Sequence, residues 1–132
     1  MTEFRYIDPA LIQAAAQRGD HIYPHANYKP IPEATTQPSI VPRSWIYHTM
    51  AGPRSTTPEA LWEYMNRGDI SGECHVQLGY TSIIQALPFN VRADNNYKGN
   101  SWTELGVRYG SLSVETQDDG ANFNIEDDPW TD

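Results

Sequence analysis

Five prolines within twenty-two residues constrain this chain more than any other feature. Pro24, Pro30, Pro32, Pro38 and Pro42 punctuate residues 21–42. Each lacks an amide donor and holds its own φ near −65°, and the residue before it is pushed toward extended backbone. That spacing predicts no helix there, only edge-strand or polyproline geometry. Ile22, Tyr23, Tyr28, Ile31 and Ile40 lie among the prolines. The stretch therefore has side chains to bury and reads as an arm laid over a domain, not as a flexible linker. His21 and His25 stand four apart, a spacing that suits a helix-borne metal pair, but Pro24 between them breaks such a helix.

On either side of the arm the pattern becomes regular. Asp8-Pro9 opens a first helix, with Asp8 as N-cap and Pro9 at the first helical position. Leu11, Ile12 and Ala15 give it an apolar face, and Gly19 ends it. After the arm, Ser44-Trp45-Ile46-Tyr47-His48 reads as a short strand, rich in the aromatic and β-branched residues that suit a pleated surface. It delivers His48 to a small-residue turn containing Ala51, Gly52 and Pro53. Thr57 and Pro58 start a second helix with Ala60, Leu61, Tyr64 and Met65 as its buried stripe, closed by Gly68. Residues 74–80 alternate, with Cys74, Val76 and Leu78 on one face and His75 and Gln77 on the other. Tyr80, Thr81 and Ser82 bend the chain, and residues 83–87 return as a partner strand. Residues 90–101 lack periodicity and read as a loop. Leu112 and Val114 alternate with Ser111, Ser113 and Glu115 in a last strand, ended by Asp118, Asp119 and Gly120.

Composition excludes some functions. Nine basic against seventeen acidic residues give a net charge of −8, which argues against binding a phosphate backbone. The single cysteine, Cys74, forbids an internal disulfide and is compatible with a reducing compartment. The first residues have no apolar signal-peptide core, and no apolar run approaches the ~18 residues of a membrane span. Synthesis in the cytoplasm is expected, with neither a nucleic-acid nor a membrane partner. Pro129 to Asp132 resemble a helix start with nothing following, so the chain is expected to be cut short.

Two polar residues could do chemistry on an otherwise apolar sheet. His48 is either a satisfied core histidine or a metal ligand. Glu115 is either a solvated face residue or a carboxylate beside a metal. Zinc lowers the pKa of its bound water to about 7, and a nearby carboxylate can take and return the proton. A catalytic zinc takes three protein ligands, and His48 supplies one.

Five segments in order carry a resemblance. They are Ile46-Tyr47-His48-Thr49, Glu73-Cys74-His75-Val76-Gln77-Leu78, Ile83-Ile84-Gln85-Ala86-Leu87-Pro88-Phe89, Arg92-Ala93-Asp94-Asn95-Asn96-Tyr97 and Ser111-Leu112-Ser113-Val114-Glu115. Together, across residues 44–120, this pattern resembles the zinc-dependent N-acetylmuramoyl-L-alanine amidases, a family that includes peptidoglycan recognition proteins and bacteriophage endolysins. The resemblance implies a mixed α/β fold, a central mixed β-sheet flanked by helices, with the C-terminal part of the fold missing. Residues 1–43 would be an N-terminal helix and arm, and residues 44–132 the N-terminal part of a catalytic domain.

It implies His48 as the first zinc ligand and Glu115 as the general base. His75 would pack or hydrogen-bond without touching metal, and Asn95, Asn96 and Tyr97 would contact muropeptide. Cys74 stands where some members carry a tyrosine near the metal. The second zinc histidine and the third ligand would lie beyond this sequence, so the chain is expected to bind zinc weakly or not at all and to show little activity alone. The implied function is peptidoglycan hydrolysis at the bacterial cell wall after release, aided by a C-terminal half or a wall-binding domain. A non-catalytic peptidoglycan-binding module and a structural protein keeping part of the fold are the other two readings.

Overall fold

The computed structural model describes residues 9–49, 57–67, 73–79, 82–94 and 97–117. Its elements are helix α1 (Pro9–Gln17), strand β1 (Asn27–Tyr28), helix α2 (Glu33–Thr36), strand β2 (Val41–Thr49), helix α3 (Pro58–Met65) and strands β3 (Val76–Leu78), β4 (Ile83–Gln85), β5 (Ser101–Glu104) and β6 (Val107–Thr116). A 3-10 turn, Tyr97–Gly99, precedes β5. The strands form one six-stranded mixed sheet in the order β1-β4-β3-β6-β2, with β5 also pairing with β6. β2 and β3 run parallel to β6, while β5 is antiparallel to it.

Partners in register share a face of a sheet, and this sorts the core. Trp45 is paired with Leu112, and Val114 with both Tyr47 and Val76. Leu112, Val114, Val76 and Leu78 join Ile12 and Ala15 of α1, Tyr23 and Phe89 in one buried cluster. A second cluster places Met65, Leu61 and Trp62 of α3 with Ile31, Cys74, Ala86, Leu87, Val91 and Ala93. Pro58 sits so close to Gly79 that a Cβ there would lie 2.4 Å from its ring, so only glycine admits the start of α3 over the end of β3.

The arm departs from the proline reading in two places. Glu33–Thr36 form a single helical turn, with Pro32 as N-cap at φ −53°. A proline constrains itself and its predecessor, and five residues between Pro32 and Pro38 leave room for one turn. Residues 23–26 make a turn, Ala26 N–H donating to Tyr23 O, and the rest of the arm is hydrogen-bonded along residues 85–92: Lys29 N–H to Gln85 O, Ile31 N–H to Ala86 O, Ile40 N–H to Asn90 O, and Arg92 N–H to Pro38 O. Tyr23, Ile31 and Ile40 are buried, whereas Ile22 is exposed.

Other boundaries shift for tertiary reasons. β2 begins at Val41, three residues before the expected strand, and takes in Pro42 with a register break between Pro42 and Ser44. It lies at the end of the strand order, where a missing N–H is tolerated. In α3, Thr57 caps the helix by accepting from Ala60 N–H at 3.2 Å. Its inner face is Pro58, Leu61, Trp62 and Met65, while Ala60 and Tyr64 are exposed. Trp62 lies inward because its indole donates to Lys29 O at 2.7 Å. Leu11 of α1 is likewise exposed. β3 and β4 are three residues each, shorter than expected, and residues 73–79 are buried on both sides. The expected loop ends in a strand, because Ser101–Glu104 and Val107–Thr116 make a hairpin through Leu105-Gly106. Asp8, the turn at residues 51–53, Gly68, Tyr80, Thr81 and residues 118–132 lie outside the described residues.

Candidate active site

β2 and β6 run parallel, and their register sets His48 directly beside Glu115. β3 adds Gln77 on the other flank of Glu115. The row His48–Glu115–Gln77 thus crosses three strands on one face of the sheet, with Ile46 and Ser113 forming the rung before it. His48 Nδ1 stands 3.9 Å from Glu115 Oε2. The His48 side chain is 36% exposed and that of Glu115 17%, so the carboxylate is the more enclosed partner. Burial pushes the Glu115 carboxyl up to about 7, against the opposing pull of His48. A carboxyl that changes charge near neutrality can both accept and return a proton.

Gln77 carried no functional expectation, yet its setting is unusual. Its Nε2 donates to Cys74 O at 3.2 Å and to Cys74 Sγ at 3.1 Å. Its Oε1 is buried without a hydrogen-bond partner among the described residues, as is Ser113 Oγ. Two orphaned polar atoms thus occur on the rungs that hold Glu115, in a fold whose buried polar groups are normally paired. The only sequence signal for them was the alternation that sets Gln77, Ser113 and Glu115 opposite the core residues. Cys74 is fully buried, and burial together with the nearby Glu115 carboxylate pushes its thiol up, away from the thiolate form.

His75 occupies a different place. It is buried beside Phe89 at 6.4 Å between ring centroids. Ser113 N–H donates to its Nδ1 at 3.1 Å, and Nε2–H donates to Val91 O at 2.6 Å. This pairing assigns the neutral Nε2–H tautomer, and burial lowers the ring's pKa to about 4. Both ring nitrogens are engaged by backbone, away from His48. Asn95 and Asn96 lie outside the described residues, and Tyr97 opens the 3-10 turn. Nearby, Arg92 donates to Ser101 Oγ and Gln37 Oε1, and Asn100 to Asp94 Oδ1.

A solved structure matches this arrangement of elements. It is a mutant endolysin from Bacillus subtilis, with a TM-score of 0.57 at 20% identity, covering 74% of this chain and 64% of that one. This chain has an endolysin-like fold. The chain spans about two-thirds or less of the endolysin's length, at 64%. No protein-family model matches the sequence, and no curated protein matches it.

Within this endolysin-like fold the donor chemistry can be tested against zinc. An imidazole beside a half-enclosed carboxylate is the donor type a hydrolytic zinc uses. Among the described residues, however, no three His, Cys, Asp or Glu side chains are grouped to hold a metal. His48 could contribute one ligand, and the described residues do not complete the set.

Proposed function

We propose that this chain carries part of the active site of a peptidoglycan hydrolase cleaving the amide between N-acetylmuramic acid and L-alanine. The observation that supports the reading is the in-register pairing of His48 with Glu115 on an endolysin-like sheet. Zinc would be held by His48 together with donors outside the described residues; when bound, it supplies an acidified water and polarises the carbonyl. Glu115 takes the proton of the attacking water and returns it to the departing amine of L-alanine. The enclosure that raises the Glu115 pKa also strengthens its pull on that proton, since a desolvated carboxylate is the stronger base. Residues 95–97 would border the muropeptide. Gln77 and Ser113 flank Glu115 and would restrict the directions its carboxyl can take.

The test is incubation of the purified chain with zinc and muramyl dipeptide, followed by mass spectrometry. Slow, zinc-dependent release of a peptide with a new L-alanine amino terminus is expected. Glu115→Gln should lower that rate at least ~100-fold, the usual scale for losing a general base, while zinc uptake persists. His48→Ala should weaken zinc uptake itself. Binding of the dipeptide without cleavage would replace the hydrolase by a recognition module. Absence of both would leave a structural protein.

A further inference from the structure

The β5–β6 hairpin carries a contradiction that the active site does not explain. Its two-residue turn, Leu105-Gly106, has positive φ at both positions, 51° and 82°. Turns of this kind favour Asn-Gly or Asp-Gly, because a leucine meets steric resistance at positive φ. Leu105 is also completely exposed, at 103%. A large apolar side chain therefore stands on a strained backbone, in water, where asparagine would serve the turn better. Neither the fold nor the pairing of the hairpin needs leucine there.

The surroundings of the tip are patterned. Trp102 pairs with Tyr109 and Glu104 with Val107 across the hairpin, and Val41 of β2 is the register partner of Tyr109. Paired residues share a face, so Trp102, Tyr109, Val107 and Val41 form one surface below the tip. Val41 and Val107 are exposed, and the two rings are partly so, 6.4 Å apart. Arg43 lies 3.6 Å above the Tyr109 ring and pairs with Glu104 at 2.5 Å, while Glu104 also accepts the Trp102 indole N–H. The aromatic pair is thereby held in place. Arg108 is exposed on the neighbouring rung.

We propose that this hairpin is a peripheral membrane anchor, in which Leu105 enters an anionic bilayer and Trp102 and Tyr109 lie at headgroup level. Two rungs separate the aromatic pair from the Glu104–Val107 pair at the turn, roughly 7 Å at ~3.4 Å per residue. That matches the ~5–10 Å depth to which interfacial segments reach. Tryptophan and tyrosine favour that zone because each has an apolar body and a polar end. Arg43 neutralises Glu104, and Arg108 leaves the hairpin one net positive charge for anionic headgroups. A convex tip suits a deformable medium, whereas a groove would suit a peptide. The absence of a long apolar run excludes only a span, which this contact does not require. The inference does not depend on the peptidoglycan reading, and its test uses no hydrolysis.

The experiment is co-sedimentation of the purified chain with phosphatidylcholine vesicles containing phosphatidylglycerol, with tryptophan fluorescence read in parallel. The wild-type chain should sediment with the vesicles, and its emission should shift to the blue. Leu105→Asn should reduce partitioning at least about tenfold, the effect of removing one inserted leucine, while raising the thermal midpoint because the turn is relieved. That opposite pair of changes excludes misfolding as the cause. Leu105→Phe should retain binding. The proposal is overturned if wild-type chain stays in the supernatant, or if Leu105→Asn partitions equally well. It is also overturned if the substitution instead abolishes a concentration-dependent self-association seen by ultracentrifugation, which would make a second copy the occupant.

Discussion

His75 and Glu115 respond to pH with opposite sign, and each can be followed by itself. His75 is neutral and buried, its pKa lowered from 6.5 to about 4 by burial. Between those values the unfolded chain binds the extra proton and the folded chain does not. Stability from this residue is therefore complete above pH ~6.5 and lost as pH falls toward 4, on the order of 3 kcal/mol in all. Protonation would also turn Nδ1 into a donor facing the Ser113 N–H. Urea denaturation at pH 7 and pH 4.5 should show the loss in the wild-type chain, and a much flatter profile in His75→Gln, which starts from a lower stability. Glu115 behaves the other way, its pKa raised from 4.5 to about 7 by burial and then pulled back in part by His48. Here the folded chain holds the proton more tightly, so stability is greatest below pH ~4.5 and declines as pH rises through 7. Glu115→Gln should accordingly raise the thermal midpoint at pH 8 and change it little at pH 5. A carboxylate kept at a loss of stability is what a working site entails. Equal midpoints for Glu115→Gln and wild type at pH 8 would contradict the enclosure seen here.

Among the elements, α3 was the most legible and the β5–β6 hairpin the least. Thr57 followed by Pro58 announces a helix start, and the Thr57 hydroxyl does accept from Ala60 N–H. Thr57→Ala should cost about 1 kcal/mol by chemical denaturation, the usual loss for a removed cap. The inner face of α3 was harder to read, since Trp62 and Tyr64 are equally plausible by composition. The choice fell to Trp62 because Lys29 O accepts its indole N–H, and Lys29 is thirty-three residues away. The hairpin was missed because Leu105-Gly106 lacks the asparagine or aspartate that marks a two-residue turn. Leu105→Asn should stabilise the hairpin by roughly 1 kcal/mol, the lower end of the scale for a strained αL residue. No gain would mean that the turn is relaxed with leucine in place.

At the scale of the whole molecule, Phe89 ties the layers together. It is fully buried against Trp45 and His75, and its N–H donates to His21 O at 2.7 Å. Phe89→Ala should lose about 3–5 kcal/mol, a large fraction of what a domain this size possesses, and equilibrium denaturation will show whether the fold survives it. The residues of the chain determined much by themselves. Thr57 marked the start of α3 and Gly19 the end of α1, alternation marked the strands, and the prolines kept much of residues 21–42 extended. These are local effects, set by the backbone freedom of a few neighbours. The tertiary structure alone decided which strands adjoin. Alternation sets Glu115 and Ser113 on one face of β6, but only the pairing of β6 with β2 and β3 sets His48 and Gln77 beside Glu115. The same pairing turned His75 inward to the backbone of Ser113 and Val91. Strand register is fixed by packing between segments distant in sequence, and no window of neighbouring residues contains it.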